Sequence, residues 1–173
     1  PVDTAVGAPE REPFTAGEGA LAPIRLAEPF ERLRDLSDAC LQRTGAQPKV
    51  YLAALGPESR RRRRVGFARE WLVAGGFEPV CDGETATAEE AVERLRTSGA
   101  PLVCLCGTDE AYRGQAEAFA RALKAAGAKG VALVGSPGEL ERAWRAAGVD
   151  EFIFTGADVV ATMERLYRCI RCR

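Results

Sequence analysis

Between residues 50 and 170 a short apolar run gives way five times to a segment of helical period. The runs are Val50–Leu55, Phe77–Cys81, Leu102–Cys106, Val131–Val134 and Phe152–Phe154. Few folds accommodate this alternation. Strands separated by crossover helices pair in parallel, and the helices then cover both faces of the sheet. The third run, Leu102-Val103-Cys104-Leu105-Cys106, is apolar throughout, as a strand buried on both faces requires. Right-handed crossovers make a flavodoxin-like, doubly wound five-stranded α/β sheet the expected fold, with strand order 2-1-3-4-5.

The helical segments carry their own punctuation. In the first, Val65, Ala68, Trp71 and Leu72 form one stripe, and Gly75-Gly76 ends it. Thr87-Ala88-Glu89-Glu90 is a capping box that opens the second, with Ala91, Val92 and Leu95 inward. The third has Ala116, Phe119, Ala120 and Leu123 on its apolar face and closes near Gly127. Ser136-Pro137-Gly138-Glu139 reads as a second capping box, ahead of Leu140, Ala143, Trp144 and Ala147. Asp158 is the expected cap of the last helix, whose Val159, Met163, Leu166 and Ile170 face in.

The front of the chain differs. Residues 1–28 are rich in Pro, Gly, Ala and Glu and hold no sustained period. They read as an extended arm or linker without an autonomous fold. Pro29 suits the first turn of a helix in which Phe30, Leu33, Ser37 and Cys40 recur at spacings of three and four, before Gly45. The expected organisation is therefore an arm over 1–28, a connecting helix over 29–48 and an α/β domain over 49–173.

Composition narrows the chemistry. The chain has 173 residues, a formal net charge of −1 and no histidine. The charge gives no global reason to bind nucleic acid or an anionic membrane. The missing histidine removes the commonest general base and metal ligand. No apolar run approaches the roughly 20 residues of a membrane span. Cys104 and Cys106 alternate on one strand face as small core side chains. Cys169 and Cys172 form a CxxC without a second ligand pair, at a helix end where the dipole disfavours a thiolate. Cys40 and Cys81 match no pairing pattern, so a reduced, cytoplasmic chain is the expectation.

Ligands of open α/β sheets bind beyond the carboxyl ends of the strands. The turn after the first strand is Gly56-Pro57-Glu58-Ser59, and it runs into Arg60–Arg64. It is neither a G-x-G-x-x-G fingerprint nor a Walker loop. A receiver-type phosphoacceptor is not supported: Asp109 follows the third strand, but no carboxylates end the first, and Thr155-Gly156-Ala157 follows the fifth. No serine has a histidine to activate it. Five cations at a helix start oppose the dipole, and helical spacing lets only two or three share a direction. They form either a solvated face or pairs with carboxylates, Glu58 locally or those of a partner subunit.

The order of elements resembles the cobalamin-binding domain of the methylmalonyl-CoA mutase family, and within it the small subunit of the two-chain bacterial enzyme. The resemblance rests on Pro29-Phe30-Glu31-Arg32-Leu33-Arg34-Asp35, Thr44-Gly45, Leu52-Ala53, Leu55-Gly56-Pro57, Ala74-Gly75-Gly76 and Cys104-Leu105-Cys106. It continues in Ala122-Leu123-Lys124-Ala125-Ala126-Gly127 and Ala147-Gly148-Val149-Asp150-Glu151-Phe152-Ile153. The resemblance implies that the arm is a connector from a barrel domain. Cobalamin-binding members carry D-x-H-x-x-G after the first strand, a serine and leucine after the third, and a glycine pair after the fourth. The matching positions here are Glu58, Arg60 and Arg63, then Cys106 and Thr108, then Gly135 and Ser136. Arginine keeps its proton in a protein, so Arg60 is not a cobalt ligand. The resemblance thus implies a non-catalytic, structural subunit domain with no catalytic, metal or cofactor site of its own. Its implied partner is a mutase large subunit, which binds adenosylcobalamin and interconverts methylmalonyl-CoA and succinyl-CoA. Nucleic acid and membrane are not expected partners. The alternatives are a cobalamin-binding isomerase domain with an altered lower-ligand loop, and a stand-alone anion-binding or regulatory module.

Overall fold

Five parallel strands form one sheet in the order β2-β1-β3-β4-β5 in the computed structural model, which describes residues 28–171. The strands are β1 (Lys49–Ala54), β2 (Glu78–Val80), β3 (Leu102–Cys106), β4 (Gly130–Val134) and β5 (Glu151–Ile153). The helices are α1 (Glu28–Thr44), α2 (Glu58–Ala74), α3 (Ala88–Ser98), α4 (Asp109–Ala125), α5 (Glu141–Ala147) and α6 (Val159–Cys169). The expected doubly wound fold and its strand order are both present. The arm expected over residues 1–28 lies, apart from Glu28, outside the described residues.

β3 is the centre. All five of its residues are buried, and it pairs with β1 on one side and β4 on the other. The period of two along β1 divides the interior into two cores. Tyr51, Ala53 and Leu55 join Phe119, Leu123, Leu133 and Trp144 on the α3–α4–α5 face. Val50 and Leu52 join Leu33, Leu72, Ile153, Met163 and Leu166 on the α1–α2–α6 face. Cys104 and Cys106 belong to this second core as thiols, as their spacing predicts.

The connecting helix packs on the same face. Leu33, Ser37 and Cys40 are its buried residues, and the Ser37 hydroxyl donates to the Gly76 carbonyl at 2.8 Å. The Tyr167 hydroxyl donates to the adjacent Gly75 carbonyl at 2.9 Å. A Cβ at Gly75 would stand 2.6 Å from Met163 Cγ, so this α2–α6 contact requires glycine. Ser37 thus meets the turn just past α2, and Arg43 donates to the Arg171 carbonyl just past α6, so α1 packs beside the ends of both helices.

Four expectations need correction. Ser136 does not cap a helix: Gly138 adopts φ +52°, the chain makes a 3-10 turn over Gly138–Leu140, and α5 starts only at Glu141. A left-handed residue inside the first turn breaks the register that a capping box needs. Phe30, expected inward, is 38% exposed, because it lies a turn beyond the last buried contact of α1. Strand ends move by a residue or two: β2 loses Phe77, which is buried outside the ladder, and β5 gains Glu151, which is buried beside Arg165 at 2.6 Å. The wholly reduced chain is corrected at Cys40, which is disulfide-bonded, its partner lying outside the described residues. Disulfide pairing depends on which sulfurs folding brings within reach, which spacing along the sequence does not give. Cys81 and Cys169 are thiols.

The caps at Thr87 and Asp158 form as expected, Asp158 Oδ1 accepting from the Ala161 N–H at 3.0 Å. Thr87 Oγ1 accepts from the Glu90 N–H at 3.2 Å, and the Glu90 carboxylate accepts from the Ala86 N–H at 2.9 Å. That backbone bond, with Arg94 nearby, holds the Glu90 carboxyl below the usual carboxylate value. Thr87→Ala is expected to destabilise the domain by about 1 kcal/mol, measured by urea denaturation at neutral pH. A carboxyl with a lowered folded-state pKa stabilises fully above its unfolded value and loses that contribution as pH falls through the folded value. Glu90→Gln is therefore expected to lower the melting temperature at pH 7 and to match the parent chain in acid.

Candidate functional site

The carboxyl ends of β1, β3 and β4 leave carbonyls beyond the ladder, and the arginine run answers two of them. Spacing of three along α2 turns Arg61 and Arg64 inward. Arg61 is 7% exposed, donates to the Gly56 carbonyl and stands 3.2 Å from Glu84. Arg64 donates to the Gly107 carbonyl at 2.7 Å and to Asp109 at 2.5 Å, and its guanidinium lies 5.2 Å from the Tyr112 ring centre. Burial opposes the charge on Arg64, but Asp109 and Tyr112 outweigh it and hold its pKa above the usual guanidinium value. Favourable carbonyl and carboxylate contacts thus offset the helix dipole, which disfavours cations here.

Tyr112 locks this rim from beneath. Its hydroxyl accepts from the Gly107 N–H at 2.7 Å and lies 3.0 Å from the Leu105 carbonyl and 2.9 Å from the Val134 carbonyl. The ends of β3 and β4 are joined through one oxygen atom. Burial pushes its phenol well above the ordinary tyrosine range, so it acts as a neutral hydrogen-bonding group. Gly107 fits closely beside it: a Cβ there would stand 3.0 Å from Leu55 Cβ and 3.1 Å from the Tyr112 ring, tighter than ordinary contact.

Every position read from the sequence as part of a site reaches this rim. Glu58 is the first residue of α2 and makes no ion pair with the arginines among the described residues. Arg60 and Arg63 face outward, and Arg60 has only a loose 3.7 Å contact with Glu110. Cys106 ends β3 and is fully buried; its contact with Cys104 and its burial push the thiol well above the ordinary range. Thr108 caps α4 by accepting from the Ala111 N–H at 3.2 Å. Gly135 and Ser136 follow β4.

An open cleft of about 670 Å³ separates the first half of α2 from the ends of β4 and β5 and is lined by Arg60, Arg63, Arg64, Phe67, Gly135 and Phe154, among others. Glu58, Cys106, Thr108 and Ser136 do not line it. A second cavity, about 740 Å³, lies at the opposite end of the sheet beside Arg43, Lys49 and Lys129. Ligands of doubly wound sheets bind at the carboxyl ends, so the rim cleft is the candidate. No group of His, Cys, Asp and Glu among the described residues has the arrangement to hold a metal ion. No described helix is long and apolar enough to cross a membrane. Sequence reading missed Tyr112 and Gly107. The signal was a tyrosine six residues after a fully apolar strand, indistinguishable in sequence from an ordinary core aromatic.

The chain is 48% identical over 155 residues to the methylmalonyl-CoA mutase small subunit of Streptomyces virginiae, covering 89% of this chain and 24% of that protein. It is 38% identical over 159 residues to the small subunit of Propionibacterium freudenreichii subsp. shermanii, covering 89% and 24%. A probable small subunit of Mycobacterium tuberculosis is 38% identical over 158 residues, covering 87% and 25%. The chain thus spans about a quarter of the length of the curated relatives it matches. No family model matches. Among solved structures, a CheY-like protein from Pseudomonas aeruginosa superposes with TM-score 0.54 at 18% identity, over 73% of this chain and 94% of that one. That likeness concerns the fold.

Tyr112→Phe is expected to cost about 1–3 kcal/mol in chemical denaturation, because it leaves the buried Gly107 N–H without its acceptor.

Proposed function

Since the chain is homologous to methylmalonyl-CoA mutase small subunits over nearly nine-tenths of its length, we propose that it is a non-catalytic, structural subunit domain of a heterodimeric, adenosylcobalamin-dependent methylmalonyl-CoA mutase. The large subunit carries the isomerisation of methylmalonyl-CoA and succinyl-CoA and holds the cofactor. This chain binds no cofactor, nucleic acid or membrane. The assembly is cytoplasmic; four thiols among the described residues accord with that, and the Cys40 disulfide is the exception.

One observation carries the reading. The turn where the family's cobalamin-binding members place a cobalt-ligating histidine bears Arg60–Arg64 instead. The residues do not fit the cofactor. A guanidinium has no lone pair to give a metal at any ordinary pH. Arg61 and Arg64 are already engaged with Gly56, Gly107 and Asp109 across the strand ends. Arg63, at the position of the family's close-approach glycine, puts a cation where the backbone would need to be bare.

Two measurements test the proposal. Co-expression with a methylmalonyl-CoA mutase large subunit is expected to give a complex that co-elutes in gel filtration; two separate peaks at micromolar concentration would refute it. Titration of the purified chain with cobalamin is expected to leave the absorbance spectrum of the free, base-on form. A stoichiometric complex with protein nitrogen on cobalt would overturn the structural reading in favour of a cofactor-binding domain.

A further inference from the structure

The outward face of α2 carries no ion pair along the helix among the described residues, unlike α3, α4, α5 and α6. In α3, α4, α5 and α6 an arginine meets a glutamate one turn away on the same helix: Arg94 with Glu90, Arg121 with Glu117, Arg145 with Glu141, Arg168 with Glu164. This is the ordinary way a solvated helix face balances its charge. In α2, Arg62 and Arg63 have no carboxylate partner among the described residues, although Glu58 stands one turn before Arg62. Arg60 reaches only Glu110, at 3.7 Å between side chains 68% and 85% exposed, where such a pair contributes little. These cations also stand at the end of the helix where the dipole disfavours them.

The same face continues into apolar surface. Phe67, one turn below Arg63, packs against Trp71 with ring centres 5.3 Å apart, and both rings are only partly covered. An aromatic centre flanked by arginines is the composition of protein–protein hot spots. Nucleic acid is a poorer match, since Glu58, Glu70 and Glu110 interrupt the cations.

We infer that the Arg60–Arg63–Phe67–Trp71 face of α2 is a docking surface for a protein segment presenting carboxylates beside apolar side chains. This rests on the subunit reading above and assigns that segment to the mutase large subunit. Carboxylates of the partner would supply the charge balance that α2 lacks, and the paired rings would supply the desolvated centre.

The test uses the full 173-residue chain, the Arg60→Glu/Arg63→Glu variant and the Trp71→Ser variant, each titrated against the large subunit at two salt concentrations. Circular dichroism verifies that each variant is folded. The inference expects the charge-reversal variant to bind at least about tenfold more weakly than the parent chain at low salt. It expects high salt to narrow that difference, since exposed charges are screened. Slower amide exchange over residues 60–71 of the parent chain on complex formation is the second expected result, and it needs no variant. If the parent chain pairs but the variants pair equally well and exchange is unchanged, the docking assignment is overturned while the subunit reading stands. If the parent chain does not pair at all, the subunit reading fails and the assignment falls with it. Tight, salt-sensitive binding of a random-sequence duplex, lost in the charge-reversal variant, would reassign the face and overturn the inference.

Discussion

The burial of β3 on both faces is the constraint from which the rest follows. A strand with no polar side chain has only its backbone to satisfy, and β1 and β4 satisfy it from either side. This fixes the sheet order and forces the crossover helices onto both faces. It also creates a difficulty at one end. Where the ladder stops after Cys106, the carbonyls and amides of the strand ends are too buried for bulk water and too far along for the neighbouring strands. Tyr112 and Arg64 resolve it from opposite sides, the phenol from within the α4 face and the guanidinium from the top of α2.

This gives the arginine run two physical identities. Arg61 and Arg64 are structural parts of the rim, comparable to caps on the sheet. Arg60, Arg62 and Arg63, interleaved with them in sequence, face away and take little part in the fold. A cationic helix start is tolerable because the inward pair recovers, in charge-assisted bonds to carbonyls and Asp109, what the dipole costs. The outward three have no comparable return within the described residues, which is why they carry an argument about a partner and not about stability.

Fold and site were unequally legible in the sequence. The strand order was readable because alternation of element type, handedness and the doubly buried run Leu102–Cys106 leave few alternatives. The caps at Thr87 and Asp158 were readable because capping depends on residues close in sequence. The cap at Ser136 failed because one left-handed glycine, Gly138, decides it, and Gly138 has no sequence mark separating it from a helical glycine. The rim failed differently. Its seven positions read from the sequence follow the strand ends, but the bonds that hold the rim come from Tyr112 and Gly107, outside any motif, and from Glu84 and Asp109 meeting arginines 23 and 45 residues away. The disulfide at Cys40 likewise matches no spacing in the sequence.

On the subunit reading proposed above, the lack of a cofactor-type loop and the order of the rim are two sides of one residue pattern. A cofactor loop needs bare backbone and a neutral nitrogen, both of which leave strand-end carbonyls to be satisfied by the ligand. An arginine at the first inward position of α2 satisfies Gly56, and another one turn later satisfies Gly107, without any ligand. With both in place, two strand-end carbonyls are satisfied within the chain, and no buried side-chain nitrogen or oxygen among the described residues is left without a partner. What remains for selection to act on is its outer surface, where the same helix presents the arginines and aromatic rings that the interior does not use.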